Sequence, residues 1–75
     1  MAGRDELLEN ITTKLRTLFP DGTQDAQEKR AEVLACAAEE ALGRPGIRDL
    51  DAAADLPLAD LEKLWRAVDG IADAH

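Results

Sequence analysis

Apolar residues recur every three or four positions through three long stretches of this chain, and no stretch alternates between apolar and polar residues. A repeat of that length places apolar side chains along one side of an α-helix, whereas a half-exposed strand alternates. The chain has 75 residues, and only Phe19 and Trp65 are aromatic. The sequence therefore predicts an all-α fold whose core consists mainly of Leu, Ile, Val and Ala.

The helical stretches are bounded by residues that start or stop helices. Pro20 ends the first stretch, Gly43 suits the position after the second, and Pro57 suits the first position of the last. Gly70 lies inside the last pattern and predicts fraying beyond Asp69, because Gly disfavours a helix by about 1 kcal/mol relative to Ala. We predict one domain over residues 1–75, a compact bundle of three longer helices and one short helix. The predicted helices cover residues 4–19, 23–42, 49–54 and 57–72.

The start of the second helix has two alternatives in the sequence. Thr23 is a suitable N-cap, and Asp25 followed three residues later by Glu28 is a second capping pattern. For the short helix, the sequence predicts that Asp49 is the N-cap, since Asp favours this position.

The chain lacks most of the side chains from which enzymes build active sites. It has no Ser and no Tyr, a single Cys, and a single His at position 75. A nucleophile needs a base beside it, and a zinc site needs several His or Cys ligands. Asp49, Asp51 and Asp60 match the spacing of a calcium loop only in part, because Ala replaces both a ligand and the turn Gly. We therefore predict no enzymatic activity, no cofactor, no metal site, and no ligating role for His75.

The charge of the chain restricts the partners that it suits. Sixteen acidic and nine basic residues give a formal net charge of −7. This excess repels nucleic acid and anionic membranes and attracts basic protein surfaces, so we expect no direct nucleic-acid binding. The longest apolar run, residues 33–38, is far shorter than the roughly 18 residues of a membrane span. With one Cys and no leader pattern, the expected location is the reducing cytoplasm.

Two sides of the second helix, together with one side chain of the last helix, are candidate partner sites. Four carboxylates fall within an arc of about 60° when each residue turns by about 100°. These four, which we call the acidic row, are Asp25, Glu28, Glu32 and Glu39. Elsewhere on this helix, Val33, Cys36 and Ala37 form a second apolar strip, which the last helix or a second copy of the chain would cover. Trp65 offers a further apolar anchor.

These features predict a small acidic, non-enzymatic protein-interaction module whose partner has a basic surface. In the sharper form of this hypothesis, the acidic row imitates nucleic-acid phosphates and inhibits or regulates a nucleic-acid-handling partner, in the manner of phage or plasmid counter-defence proteins. The ordinary interpretation of such a row is a solvated helix face. The alternative function is a small structural or docking subunit of a larger assembly, bound through an apolar helix face. A homodimer is one of the two ways to cover the apolar strip, and so small a domain often gains stability by association.

Overall fold

The computed structural model describes residues 3–44 and 46–74, so the prediction about His75 lies outside the described residues. Within these two ranges the chain forms four helices and no strand, which confirms the all-α prediction. The helices are α1 (Arg4–Leu18), α2 (Gln24–Leu42), α3 (Leu50–Ala54) and α4 (Leu58–Ala74).

Capping residues explain where α2 begins and ends. The Thr23 hydroxyl accepts a hydrogen bond from the Ala26 N–H at 3.2 Å, so Thr23 rather than Asp25 is the N-cap. At the other end Gly43 has a φ of 66°, and its N–H donates to the Glu39 carbonyl at 2.9 Å. A positive φ is unfavourable for residues that carry a Cβ, which is why the helix closes at this glycine.

The two later helices differ in how closely they follow the sequence prediction. α3 has the predicted cap, since Asp49 Oδ1 accepts a hydrogen bond from the Ala52 N–H at 2.8 Å. α4 does not fray at Gly70 and ends at residue 74, beyond the predicted end. Val68 before the glycine is fully buried, and Ile71 after it packs against the core. This packing outweighs the low helix propensity of a single glycine.

α4 is the helix on which the other two long helices pack. Its residues Leu61, Leu64 and Val68 are all 0% exposed. Both α1 and α2 pack extensively against α4 and touch each other much less, while α3 packs on α1. The other buried side chains of the core cluster come from the remaining helices and from the segments around α3. They are Leu7, Ile11, Leu15, Leu34, Ala37, Ala38, Ile47, Ala53 and Leu56.

An arginine at the start of α1 forms hydrogen bonds with the end of α3. The Arg4 guanidinium donates hydrogen bonds to the carbonyl oxygens of Ala54 and Leu56, which lie where the chain turns from α3 into α4. A short helix ends with carbonyl groups that lack partners inside the helix. Arg4 satisfies two carbonyls of this turn, which lie 50 and 52 residues away in the sequence.

A second arginine closes the turn between α1 and α2. Arg30, one-third of the way along α2, donates to the carbonyl oxygen of Phe19 and, at 3.1 Å, to that of Asp21. Both bonds leave from the same nitrogen, Nη1. The turn that follows α1 is therefore held from α2 by a charged donor, and hydrogen bonds to charged groups stabilise a fold by about 1.5–3 kcal/mol.

Replacing a fully buried residue of α4 should remove most of the stability of the domain. We expect Leu64→Ala to lower the free energy of unfolding by about 2–5 kcal/mol, because it removes buried methyl groups and leaves a cavity. Leu58→Ala is the matched control, since Leu58 is 37% exposed, and it should cost less than about 1 kcal/mol. Urea denaturation followed by circular dichroism measures both. Equal losses for the two variants would contradict the central position of α4.

The Arg30 hydrogen bonds can be tested with a charge-matched pair of variants. Arg30→Gln should lower the free energy of unfolding by about 1–2 kcal/mol, because the Phe19 and Asp21 carbonyls lose a charged donor. Lys63→Gln removes the same charge from an exposed position of α4 and should change stability by less than about 0.5 kcal/mol. If Arg30→Gln is as stable as Lys63→Gln in urea denaturation, the turn does not depend on this arginine.

Candidate interaction surfaces

The acidic row lies on the solvent side of α2. Asp25, Glu28, Glu32 and Glu39 are all exposed, and α2 is helical over the whole stretch that carries them. With a rise of about 1.5 Å per residue, the row extends for about 21 Å along the helix. The four carboxylates predicted from the sequence therefore share one continuous, solvated face.

Only one carboxylate of the acidic row has a cationic partner within the described residues. Asp25 lies 3.7 Å from Lys29, in an i,i+4 pair whose side chains are 79% and 54% exposed respectively. An exposed pair of this kind contributes about 0–1 kcal/mol and is easily broken by a competing ligand. Glu28, Glu32 and Glu39 form neither ion pairs nor side-chain hydrogen bonds with the described residues. The row keeps most of its negative charge available to a partner.

The second apolar strip is narrower than the sequence indicated. Ala37 is 0% exposed and belongs to the core, so in a single copy of the chain it cannot contact a partner. Val33 is half-buried and packs against the same core, and only Cys36 is exposed. The last helix covers this part of α2, which was one of the two covers expected from the sequence. The homodimer stays a prediction.

Trp65 is half-buried and packs against the core. The ammonium group of Lys14 lies 5.9 Å from the centre of the Trp65 ring, within the range of a cation–π contact. The same ammonium group is 3.0 Å from an Asp69 carboxylate oxygen. Lys14 therefore covers part of the ring, and Trp65 is a less accessible apolar anchor than the sequence suggested.

A surface that sequence reasoning missed lies between α1 and α2. Because these helices pack on α4 more than on each other, a cleft of about 290 Å³ separates them. Arg16 from α1, Arg30 from α2 and Arg48 from the segment before α3 all line it, and we call it the arginine cleft. The three side chains come from separate segments, so no local motif reveals them. The only sign of this surface in the sequence was the presence of three arginines in a chain with few Lys and Arg residues.

The described residues show no other concentration of chemically reactive groups. No polar or charged side chain among them is buried. Within residues 3–44 and 46–74 no cluster of three or more His, Cys, Asp or Glu side chains is arranged to hold a metal ion. None of the four described helices is both long and apolar enough to cross a membrane.

Comparisons of the chain with protein-family models, with curated proteins and with solved structures found no match. Functional assignment therefore rests on the residues and geometry described above.

Two adjacent substitutions distinguish the core side of α2 from its surface. Ala37→Leu should lower the free energy of unfolding by about 1–3 kcal/mol, because the larger side chain has no space in the core around this position. Cys36→Leu should change stability by less than about 0.5 kcal/mol, since its side chain extends into solvent. Both variants introduce the same residue into the same helix, and urea denaturation compares them. A stable Ala37→Leu protein would contradict the burial of this position.

Proposed function

We propose that the protein is a small acidic interaction module that binds a partner protein with a basic surface. The observation that carries this proposal is the acidic row, whose four carboxylates are exposed along one face of α2. Only Asp25 of these four has an ion-pair partner in the described part of the chain. A protein partner with Lys and Arg side chains at matching positions would form charge pairs with this face, and the net charge of −7 would accelerate their encounter.

The sharper form of the proposal is that the protein inhibits or regulates a nucleic-acid-handling partner by imitating phosphates. Each strand of duplex DNA presents one phosphate per 3.4 Å of helix axis, as a line of negative charge. The acidic row is also a line of negative charge, about 21 Å long, carried on a rigid α-helix. A basic groove that accommodates a nucleic-acid strand is therefore the partner surface that best matches its charge and shape. The lone thiol suits the reducing cytoplasm as the place of this activity.

The alternative, a docking subunit bound through an apolar helix face, has less support. Among the described residues Leu58 is the only large hydrophobic side chain that is exposed, at 37%. Ala37, one of the three residues of the apolar strip of α2, is buried in the core. The most extensive exposed feature of the surface is therefore its negative charge, and this favours a partner that binds through charge pairs.

Neutralising the acidic row should abolish partner binding without unfolding the chain. We expect the triple variant Glu28→Gln/Glu32→Gln/Glu39→Gln to lose at least about 100-fold in affinity, since three charge pairs of about 1 kcal/mol each are removed and about 1.4 kcal/mol is tenfold. The immobilised protein first captures its partner from an extract of its source cells, and the captured protein is then purified. Titration calorimetry with wild type and variant at low and high salt measures the affinity, which should fall as salt is added.

A matched control changes three exposed carboxylates that lie outside α2. Glu9→Gln/Asp55→Asn/Asp73→Asn alters the net charge by the same amount and should keep the affinity within about threefold. Full binding by the triple variant of the acidic row would refute the proposal. Competition with duplex DNA then tests the sharper form. A captured partner that binds DNA and the protein at the same time would exclude phosphate imitation.

A further inference from the structure

We propose that the arginine cleft binds an acidic segment of a partner polypeptide, which inserts apolar side chains between α1 and α2 and presents carboxylates to the arginines. The proposal concerns residues other than the acidic row. It therefore stands or falls independently of the function proposed above.

The lining of the arginine cleft combines an apolar base with a cationic rim. Leu15 of α1 and Leu34 of α2 line it and are almost completely buried, so they form its base. The half-buried Ala31 and Leu50 add further apolar surface. The cleft volume of about 290 Å³ is at the lower limit of small-molecule pockets, which begin near about 300 Å³. This is room for one or two apolar side chains rather than for a large compact ligand.

The arginines are available to an anion in two different ways. Arg30 is held in place by its bonds to the Phe19 and Asp21 carbonyls, and both use Nη1, so no described residue occupies its Nη2 and Nε donors. Arg16 and Arg48 form no ion pair or side-chain hydrogen bond with the described residues. Arginine is well suited to carboxylates, because its planar guanidinium donates two parallel hydrogen bonds to one carboxylate.

The charge within the arginine cleft is opposite to that of the whole chain. Three of the nine Lys and Arg residues of a protein with a net charge of −7 line it. The only carboxylate in its lining is that of Asp49, whose Oδ1 already accepts the capping hydrogen bond from Ala52. A local excess of positive charge in an acidic protein repels basic partners and selects acidic ones.

The shape of the surface favours a polypeptide over a free small molecule. A second depression lies beside the arginine cleft and shares Gln27, Ala31 and Arg48 with it. It continues past Gly22 and Gln24 toward the first turn of α2, where the helix dipole is positive, and Glu28 of the acidic row also lines it. The two depressions together form an elongated groove, which a chain with alternating acidic and apolar side chains can follow. A compact anion would leave most of this groove empty.

The arginine cleft and the acidic row lie on different sides of α2, and only the second depression reaches a member of the row, Glu28. Arg30, Ala31 and Leu34 face the cleft, and the centre of the acidic row is about 140° away when each residue turns by about 100°. A basic partner on the row therefore does not cover the cleft. The protein is able to join a basic partner to an acidic one, as an adaptor does.

A blocked hexapeptide of alternating Glu and Leu is the probe, and its twin with Gln in place of Glu is the matched ligand control. Isotope-labelled protein is titrated with each peptide, and NMR shifts of the methyl groups of Leu15, Ala31, Leu34 and Leu50 report binding in the cleft. We expect saturable shifts of these methyl groups with the Glu peptide, at least about tenfold weaker binding of the Gln peptide, and weaker binding of the Glu peptide at higher salt.

The protein variants leave Arg30 in place, because it also holds the turn after α1. The double variant Arg16→Gln/Arg48→Gln should lower the affinity for the Glu peptide at least about tenfold. The control Lys63→Gln/Arg66→Gln has the same change of net charge and should keep that affinity within about twofold of wild type. Denaturation curves confirm that both double variants are folded. Equal binding by the Arg16/Arg48 variant, equal binding of the Gln peptide, or no shift of the cleft methyl groups at millimolar peptide would overturn the proposal. Hexanoate that binds as tightly as the peptide would instead assign the cleft to a free carboxylic acid, which also overturns it.

Discussion

The apolar stripe of Leu61, Leu64 and Val68 along α4 brings the rest of the chain together. Each fully buried side chain of this size contributes about 1.5–3 kcal/mol from the hydrophobic effect, which is large beside the net stability of about 3–5 kcal/mol expected at this length. Because α1 and α2 both pack on α4, they contact each other much less than they contact α4. The gap left between them is the arginine cleft. The packing of both helices on α4 therefore produces the core of the domain and also the arginine cleft.

Charged side chains complete the fold where apolar contacts end. Arg4 and Arg30 each reach from a helix to carbonyl groups of a distant turn, and Lys14 joins α1 to α4 through Asp69. The chain has a single Cys and so no internal disulfide, and these contacts limit the freedom of its loops instead. Arginine suits this work because one guanidinium can satisfy two carbonyls at once. Because both bonds of Arg30 leave from Nη1, its other donor groups are not used by these carbonyls.

Local sequence signals predicted the helices well, whereas they could not predict surfaces that are formed by several segments. Gly43 ends α2 as predicted, and Pro57 lies one residue before α4 rather than at its first position. Both signals act through backbone geometry, which depends on neighbouring residues alone. The acidic row was visible because all its members share one helix. Ala37 was assigned to a strip that either the last helix or a second copy would cover, and it lies in the core of the single chain. Helical spacing gives the direction of a side chain but not which neighbour covers it. The arginine cleft was missed because its members lie on three segments, and only the packing on α4 brings them together.

The acidic row and the arginine cleft place opposite charges on different sides of α2, which gives this part of the molecule a local electric dipole across that helix. Such a molecule experiences a torque in the field of a charged neighbour, so its approach is oriented before any atoms touch. At physiological salt this torque acts only within about 8 Å of the surface, since ions screen longer distances. Rotation therefore takes place in the last steps of an encounter.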